Sequence, residues 1–219
     1  MKTKGVDQGT DLQTRQALID AGVRLIGEKG YDGASIGDIA AAVNVTKGAV
    51  YYHFASKEEF VLEIIRQRTQ ANIERFRQLE KGHVSLAEWI KRSFSAIIRF
   101  SDPSQQLFLL QVMMAGLRPG NEKIGILLAE IHAEWRNLIT EMIVLSDEHR
   151  GQQLVGEPDV IAVSIMALID GLIIHSRLEP ETFTEEAFVE RLSPLLERWV
   201  LNTAPTIDSS RFPETKHRG

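Results

Sequence analysis

The sequence predicts an all-α protein of about nine helices, and three observations carry that prediction. Apolar residues recur at three- and four-residue spacing through nearly every segment. No stretch alternates apolar and polar with period two, so no strand is expected. The segments are separated by Gly82, Pro103, Pro119-Gly120, Gly151, Gly156 to Pro158, and Pro180, residues that stop or turn a helix. A chain of 219 residues has room for a small unit plus a larger one. The expected division is 1–10 as a disordered N-terminus, 11–58 as a small helical domain, 59–202 as a larger helical domain, and 203–219 as a disordered tail.

The first helix is expected over 11–29, with Leu18, Ala21, Leu25 and Ile26 on one face and Gly30 ending it. Ser35 precedes an apolar run and has Asp38 three residues on, a capping box that starts the second helix. Ile36, Ile39, Ala40 and Val43 give that helix its buried face. Asn44 suits the left-handed turn that follows, and Val45 plugs the gap between the two helices. Thr46 is a good N-cap for the third helix. Gly48 is a poor interior helix residue, so something is expected to approach the backbone closely there. Ser56 with Glu59 caps a fourth helix, which runs from Lys57 to about Glu80 and leaves the small domain.

The third helix sets a cation, hydroxyls and flat rings on one small surface. Lys47, Tyr51 and His53 are expected to face outward, while Ala49, Val50 and Phe54 face inward. Such a surface fits phosphates and base edges in a major groove. The net charge of −5 looks wrong for a nucleic-acid binder, and residues 1–60 are not basic overall. The signal is local: between Asn44 and Lys57 there is no acid, while Lys47, His53 and Lys57 are present. Non-specific binding is therefore expected to be weak and strongly salt-dependent.

Over residues 14–62 the chain resembles the DNA-binding domain of the tetracycline-repressor (TetR) family. The match runs without gaps through Gly30-Tyr31, Ser35, Asp38-Ile39-Ala40, Val45-Thr46-Lys47-Gly48, Val50-Tyr51-Tyr52-His53-Phe54 and Lys57. His53 stands where the family more often has Tyr, and it keeps a donor near the phosphates. The resemblance implies that residues 11–58 are a helix-turn-helix domain. It implies that Thr46, Lys47 and Gly48 lie nearest base edges or adjacent phosphates, and that Ser35, Tyr51, Tyr52, His53 and Lys57 hold the DNA backbone. With one Lys and one Thr facing the groove, part of the specificity is expected from DNA shape.

Further helices are expected at 85–101, 104–116, 122–146, 158–179 and 184–202. Residues 160–174 are apolar in nearly every direction, and a helix apolar all round must be buried all round. The helix at 184–202 carries a seam at three- and four-residue spacing, with Pro194 expected to bend it. Pairing both with their twofold mates would make a four-helix bundle, an arrangement the resemblance also implies. The expected homodimer interface is Ile161, Ile165, Leu168, Leu172, Phe188, Leu192, Leu195, Leu196 and Trp199. A twofold dimer would match a palindromic operator in double-stranded DNA.

The central helices are rich in aromatic residues and Met, which suit the wall of a pliable apolar pocket. The resemblance implies a chamber for a small-molecule effector in this region. Its expected lining is Phe76, Trp89, Phe94, Phe108, Met114, Ile131 and Trp135, with Gln111, His132 and His175 as polar fixtures. The expected mechanism is linkage between effector and DNA, with the helix from Lys57 as lever.

Cysteine is absent, which excludes disulfides and thiolate metal sites and agrees with a cytoplasmic protein. No apolar N-terminal stretch marks a secretory signal. The longest apolar run, about 160–169, is broken by Asp170 and is too short to span a bilayer, so no membrane partner is expected. No pair of His one helical turn apart with a Glu is present, nor a Gly-x-Ser-x-Gly elbow, nor a Gly-rich phosphate loop. No enzymatic activity, metal or cofactor is therefore expected. The reading is a ligand-responsive transcriptional repressor. The alternatives are an activator of the same fold, and a helical ligand carrier whose helix-turn-helix is vestigial.

Overall fold

The computed structural model describes residues 8–79, Glu88, Arg92, 103–148, 154–182 and 193–200. All regular structure among them is helical. The elements are α1 (Gln8–Gly33), α2 (Ile36–Ala42), α3 (Lys47–His53), α4 (Lys57–Leu79), α5 (Pro103–Gly116), α6 (Glu122–Glu148), α7 (Pro158–Leu178) and α8 (Ser193–Val200). Of the helix expected at 85–101, only Glu88 and Arg92 are described; both are helical and pair at 2.8 Å. Most of the expected 1–10 and 203–219 segments lies outside the described residues.

Local chemistry sets the boundaries of the first four helices. Gly30 takes φ 80°, which interrupts α1 where the sequence places its end, and one more turn follows through Gly33. At α2, the Asp38 amide donates to Ser35 Oγ (3.1 Å) and the Ser35 amide donates to Asp38 Oδ2 (2.9 Å), completing the capping box. Asn44 turns the chain at φ 58°. Thr46 Oγ1 accepts from the Ala49 amide at 3.2 Å and starts α3. Ser56 Oγ accepts from the Glu59 amide at 3.0 Å and starts α4.

Two apolar clusters hold the chain. The first unites Leu18, Ile19 and Ile26 of α1, Ile39 of α2, Val50 of α3 and Phe60 and Ile64 of α4 with Phe108 and Val112 of α5 and Ile124 and Leu127 of α6. Each such side chain contributes about 1.5–3 kcal/mol on burial. The expected division at 58/59 is thus not a seam in the packing: α5 and α6 complete the core of the small N-terminal unit. Gly27 allows this, because a Cβ there would lie 3.0 Å from the Ser104 carbonyl oxygen and 3.2 Å from Leu107 Cβ. Two ion pairs fasten the same junction, Lys123 to Glu58 at 2.9 Å and Arg118 to Asp32.

The second cluster joins Phe76 of α4, Leu138, Ile139, Met142 and Ile143 of α6, Ile161, Ala162, Ile165 and Leu172 of α7, and Leu196 and Val200 of α8. Among the described residues, α7 alone is long and apolar enough to cross a membrane, a test that the core helix of a protein also passes. Here one side of it packs onto the second cluster.

Candidate nucleic-acid interface

Helix α3 has one fully buried residue, Val50, while most of its first turn and both tyrosines are displayed. Thr46, Lys47 and Gly48 are exposed at its start. Tyr51 is 52% and Tyr52 72% exposed, large for rings in a helix this firmly seated. The four side chains put hydroxyl, cation and ring at the surface, with Lys47 lying over Gly37 of α2. A Cβ on Gly48 would meet only Thr46 Oγ1, at 3.7 Å. Among the described residues nothing requires glycine at that position.

The other expected contacts behave differently. Ser35 is exposed, but its hydroxyl and amide are engaged in the α2 capping box, where Ser35 Oγ lies 2.5 Å from Asp38 Oδ2. Those bonds, first among them the one from the Ser35 hydroxyl and next that from Lys29, hold the Asp38 carboxyl well below its ordinary range. His53 does not face outward. Its side chain is 8% exposed, its Nε2 lies 3.6 Å from an Asp11 carboxylate oxygen, and its ring stands edge-on to Tyr52 at 5.1 Å. Lys57 turns back onto α1, where Nζ donates to the Tyr31 carbonyl and sits 4.5 Å from the Tyr31 ring centroid. Burial pushes its pKa down. Both residues brace the unit from behind. Side-chain direction of this kind depends on neighbours distant in sequence, which spacing alone does not reveal.

The expected apolar chamber does not assemble from the residues chosen for it. Phe76 and Trp135 pack edge to face at 4.7 Å within the second cluster, whereas Phe108 belongs to the first. Gln111 faces Gly30, Met114 is 57% exposed and His175 is exposed. Trp89 and Phe94 lie outside the described residues. His132 is half-buried. Ile131 lines an open cleft of about 820 Å³ between α4 and α6, whose rim carries Glu63, Arg66, Glu74, Glu130 and Glu134. Phe108 is thus parted from Phe76 and Trp135, a division between two clusters that composition alone does not reveal.

The residues expected at the dimer interface divide between covered and uncovered sides. Ile161, Ile165 and Leu172 are buried against α6, Leu168 is partly buried against the same cluster, and Leu196 is buried from α8. Phe188 and Leu192 lie outside the described residues. The apolar side chains left uncovered are Val160, Val163, Ile174 and Leu178 of α7, with Leu195 and Trp199 of α8. In a helix apolar all round, periodicity cannot tell which side serves the chain's own core.

Asp170, named in the sequence only as a break in the apolar run, is half-buried on α7, and burial pushes its carboxyl pKa up, opposed by His132. Its signal in the sequence is a lone carboxylate in an otherwise apolar stretch.

Comparison with known proteins matches residues 18–64 to the model for bacterial regulatory proteins of the tetR family. Residues 87–200 match the C-terminal model of BetI-type transcriptional repressors. The HTH-type transcriptional repressor DhaR of Mycobacterium sp. (strain GP1) is 29% identical over 171 residues, which cover 75% of this chain and 83% of DhaR. The HTH-type regulator YwcC of Bacillus subtilis is 28% identical, covering 82% of this chain and 83% of YwcC. Among solved structures, a transcriptional regulator from Saccharomonospora viridis in complex with choline superposes with a TM-score of 0.74 at 23% identity, covering 87% of this chain and 98% of that one. FadR of Bacillus subtilis in complex with stearoyl-CoA gives a TM-score of 0.72 at 19% identity, covering 84% and 98%. These two likenesses show the fold alone.

Proposed function

The chain belongs to the tetR family of bacterial regulatory proteins and is a helix-turn-helix transcriptional repressor, and from that premise we propose that it binds a palindromic operator as a homodimer and is released by a small, largely apolar effector. The observation that carries the proposal is the surface of α3: Thr46, Lys47, Gly48, Tyr51 and Tyr52 stand exposed on a helix seated through Val50 and His53. Lys47 and Thr46 reach base edges or the adjacent phosphates, Gly48 lets the duplex come close, and the two tyrosines hold the backbone. His53 and Lys57 fix the angle of presentation from behind.

Repression is favoured over activation because relatives of the chain, DhaR among them, are repressors. Palindromic recognition needs two copies of α3 related by a twofold axis. The uncovered apolar faces of α7 and α8 are the surfaces on which the second copy docks. The role is non-catalytic, and the protein works in the cytoplasm.

Two neighbours of this fold hold choline and stearoyl-CoA, which supports an effector-responsive reading here. The coupling path is short. Because α5 and α6 share a core with α1 and α4, an effector that shifts α5 or α6 shifts the whole reading head. By reciprocity, the effector weakens DNA binding by the factor by which DNA weakens effector binding.

Selection of bound duplexes from a random pool, with and without metabolite extract, tests the reading. The expected product is a two-half-site palindrome whose recovery falls when extract is added. A protein that prefers no duplex even in dilute salt sinks the proposal.

A further inference from the structure

We propose that Gly37 is a positioning residue for DNA binding: its missing side chain leaves a bed across the first turn of α2, and Lys47 lies along that bed to bring its ammonium to a backbone phosphate. The inference rests on the operator-binding reading above and adds to that site one residue and the kind of contact it serves.

Glycine is costly inside a helix, and Gly37 has no backbone reason to be one. Among the described residues the positive-φ glycines are Gly30 and Gly120, so Gly37 holds a conformation that alanine also adopts. Its surroundings supply the reason. A Cβ at Gly37 would lie 2.5 Å from Lys47 Cε and 3.1 Å from Lys47 Nζ, with Ser35 Oγ next at 3.4 Å. The first is closer than packed carbons approach, so the lysine stem occupies the space that a side chain at 37 would fill. No atom of the apolar core is among these neighbours. The glycine makes room for Lys47 and not for the packing of α2.

The route decides where the charge arrives. Lys47 belongs to α3, yet its ammonium stands over α2, near Ser35. In a helix-turn-helix the second helix enters the groove while the first crosses the sugar-phosphate backbone. An ammonium laid over the first helix is thereby aimed at phosphate. The acid of that turn does not compete for it: Asp38 is held by Lys29 at 3.0 Å and by the Ser35 hydroxyl at 2.5 Å. Among the described residues no carboxylate pairs with Lys47, so its charge is left for an anion outside the chain. A stem already laid along the surface also has less freedom to lose when the ammonium binds.

The test compares the full-length parent, Gly37→Ala, Lys47→Ala and the double variant. Anisotropy titrations use the palindrome recovered by selection and a scrambled duplex of the same length, each at several salt concentrations. Gly37→Ala should weaken both duplexes by the same factor, about three- to tenfold, the scale of one phosphate contact. Its salt slope should fall by about one unit. Its urea midpoint should be equal to the parent's or higher. The double variant should bind no more weakly than Lys47→Ala alone, because the methyl acts only by displacing the lysine. Parental affinity in Gly37→Ala overturns the proposal. So does a loss that persists in the Lys47→Ala background, a loss confined to the palindrome, or a lowered urea midpoint, which would mean that the fold itself needs the glycine. These outcomes leave operator binding intact. A parent that prefers no duplex removes the operator reading instead, and this inference with it.

Discussion

The Nε2 of His53 lies 3.6 Å from the Asp11 carboxylate, so the last turn of α3 is fastened to the first turn of α1. The ring is almost fully covered, and its substitution should act on the fold first. His53→Ala is expected to lower stability by about 1–3 kcal/mol in urea unfolding. Asp11→Ala, which removes the more exposed partner, should cost about 0–1 kcal/mol. An unchanged unfolding curve for His53→Ala, together with a sharp loss of DNA affinity, would return the ring to the phosphate backbone.

Gly48 separates folding from binding. Alanine fits the space around it and is the better helix former, so Gly48→Ala should leave stability equal or higher by up to about 1 kcal/mol. The same substitution should weaken binding to a selected duplex, because the added methyl stands where DNA approaches. Intact affinity in this variant would show that the duplex stays clear of the start of α3.

Lys47→Ala should weaken specific binding by about 1–3 kcal/mol if the ammonium reads a base. If it meets only phosphate, the loss should be the same for all sequences and the salt slope should fall by about one unit. Titrations at several salt concentrations distinguish the two. A variant that binds like the parent under all of them contradicts the docking described.

Asp38 gives the fold a pH signature. Its carboxyl titrates well below the ordinary range because Ser35 and Lys29 hold the charged form. A depressed folded pKa means that the stabilisation is complete above the unfolded value, about 4, and fades as pH falls toward the folded one. The difference in unfolding midpoint between the parent and Asp38→Asn should thus be largest near pH 6 and shrink on acidification toward pH 2. A gap that stays constant across that range argues against the capping carboxylate as its source.

The two sides of α7 should respond oppositely to charge. Val163→Asp lies on the uncovered side and should give folded monomers in sedimentation velocity. Ile165→Asp lies in the second cluster and should unfold the chain or make it insoluble. A folded dimer from Val163→Asp would place the partner on another surface.

What could be read from the sequence was local. Ser35 with Asp38, Asn44, Thr46 and Ser56 act on atoms within three or four residues, and each does in the structure what its chemistry dictates. The exposed row from Thr46 to Tyr52 was legible for the same reason, since caps and a seven-residue helix leave little choice of facing. Direction toward distant partners was not legible. His53 is drawn to Asp11 and Lys57 to Tyr31, across gaps in sequence that no periodicity encodes. The buried side of α7 depended on α6, and the aromatic residues expected to share a chamber were divided between two clusters.

The core shared by α1, α4, α5 and α6 also limits how such a molecule can be rebuilt. A graft that exchanges only residues 11–58 between regulators would strip α1 of the apolar backing it meets at Gly27 and leave a sticky, unsupported headpiece. New operator preferences are better sought by altering the outward side of α3 in place. Exchange of whole heads demands that the facing strip of α5 travel with them.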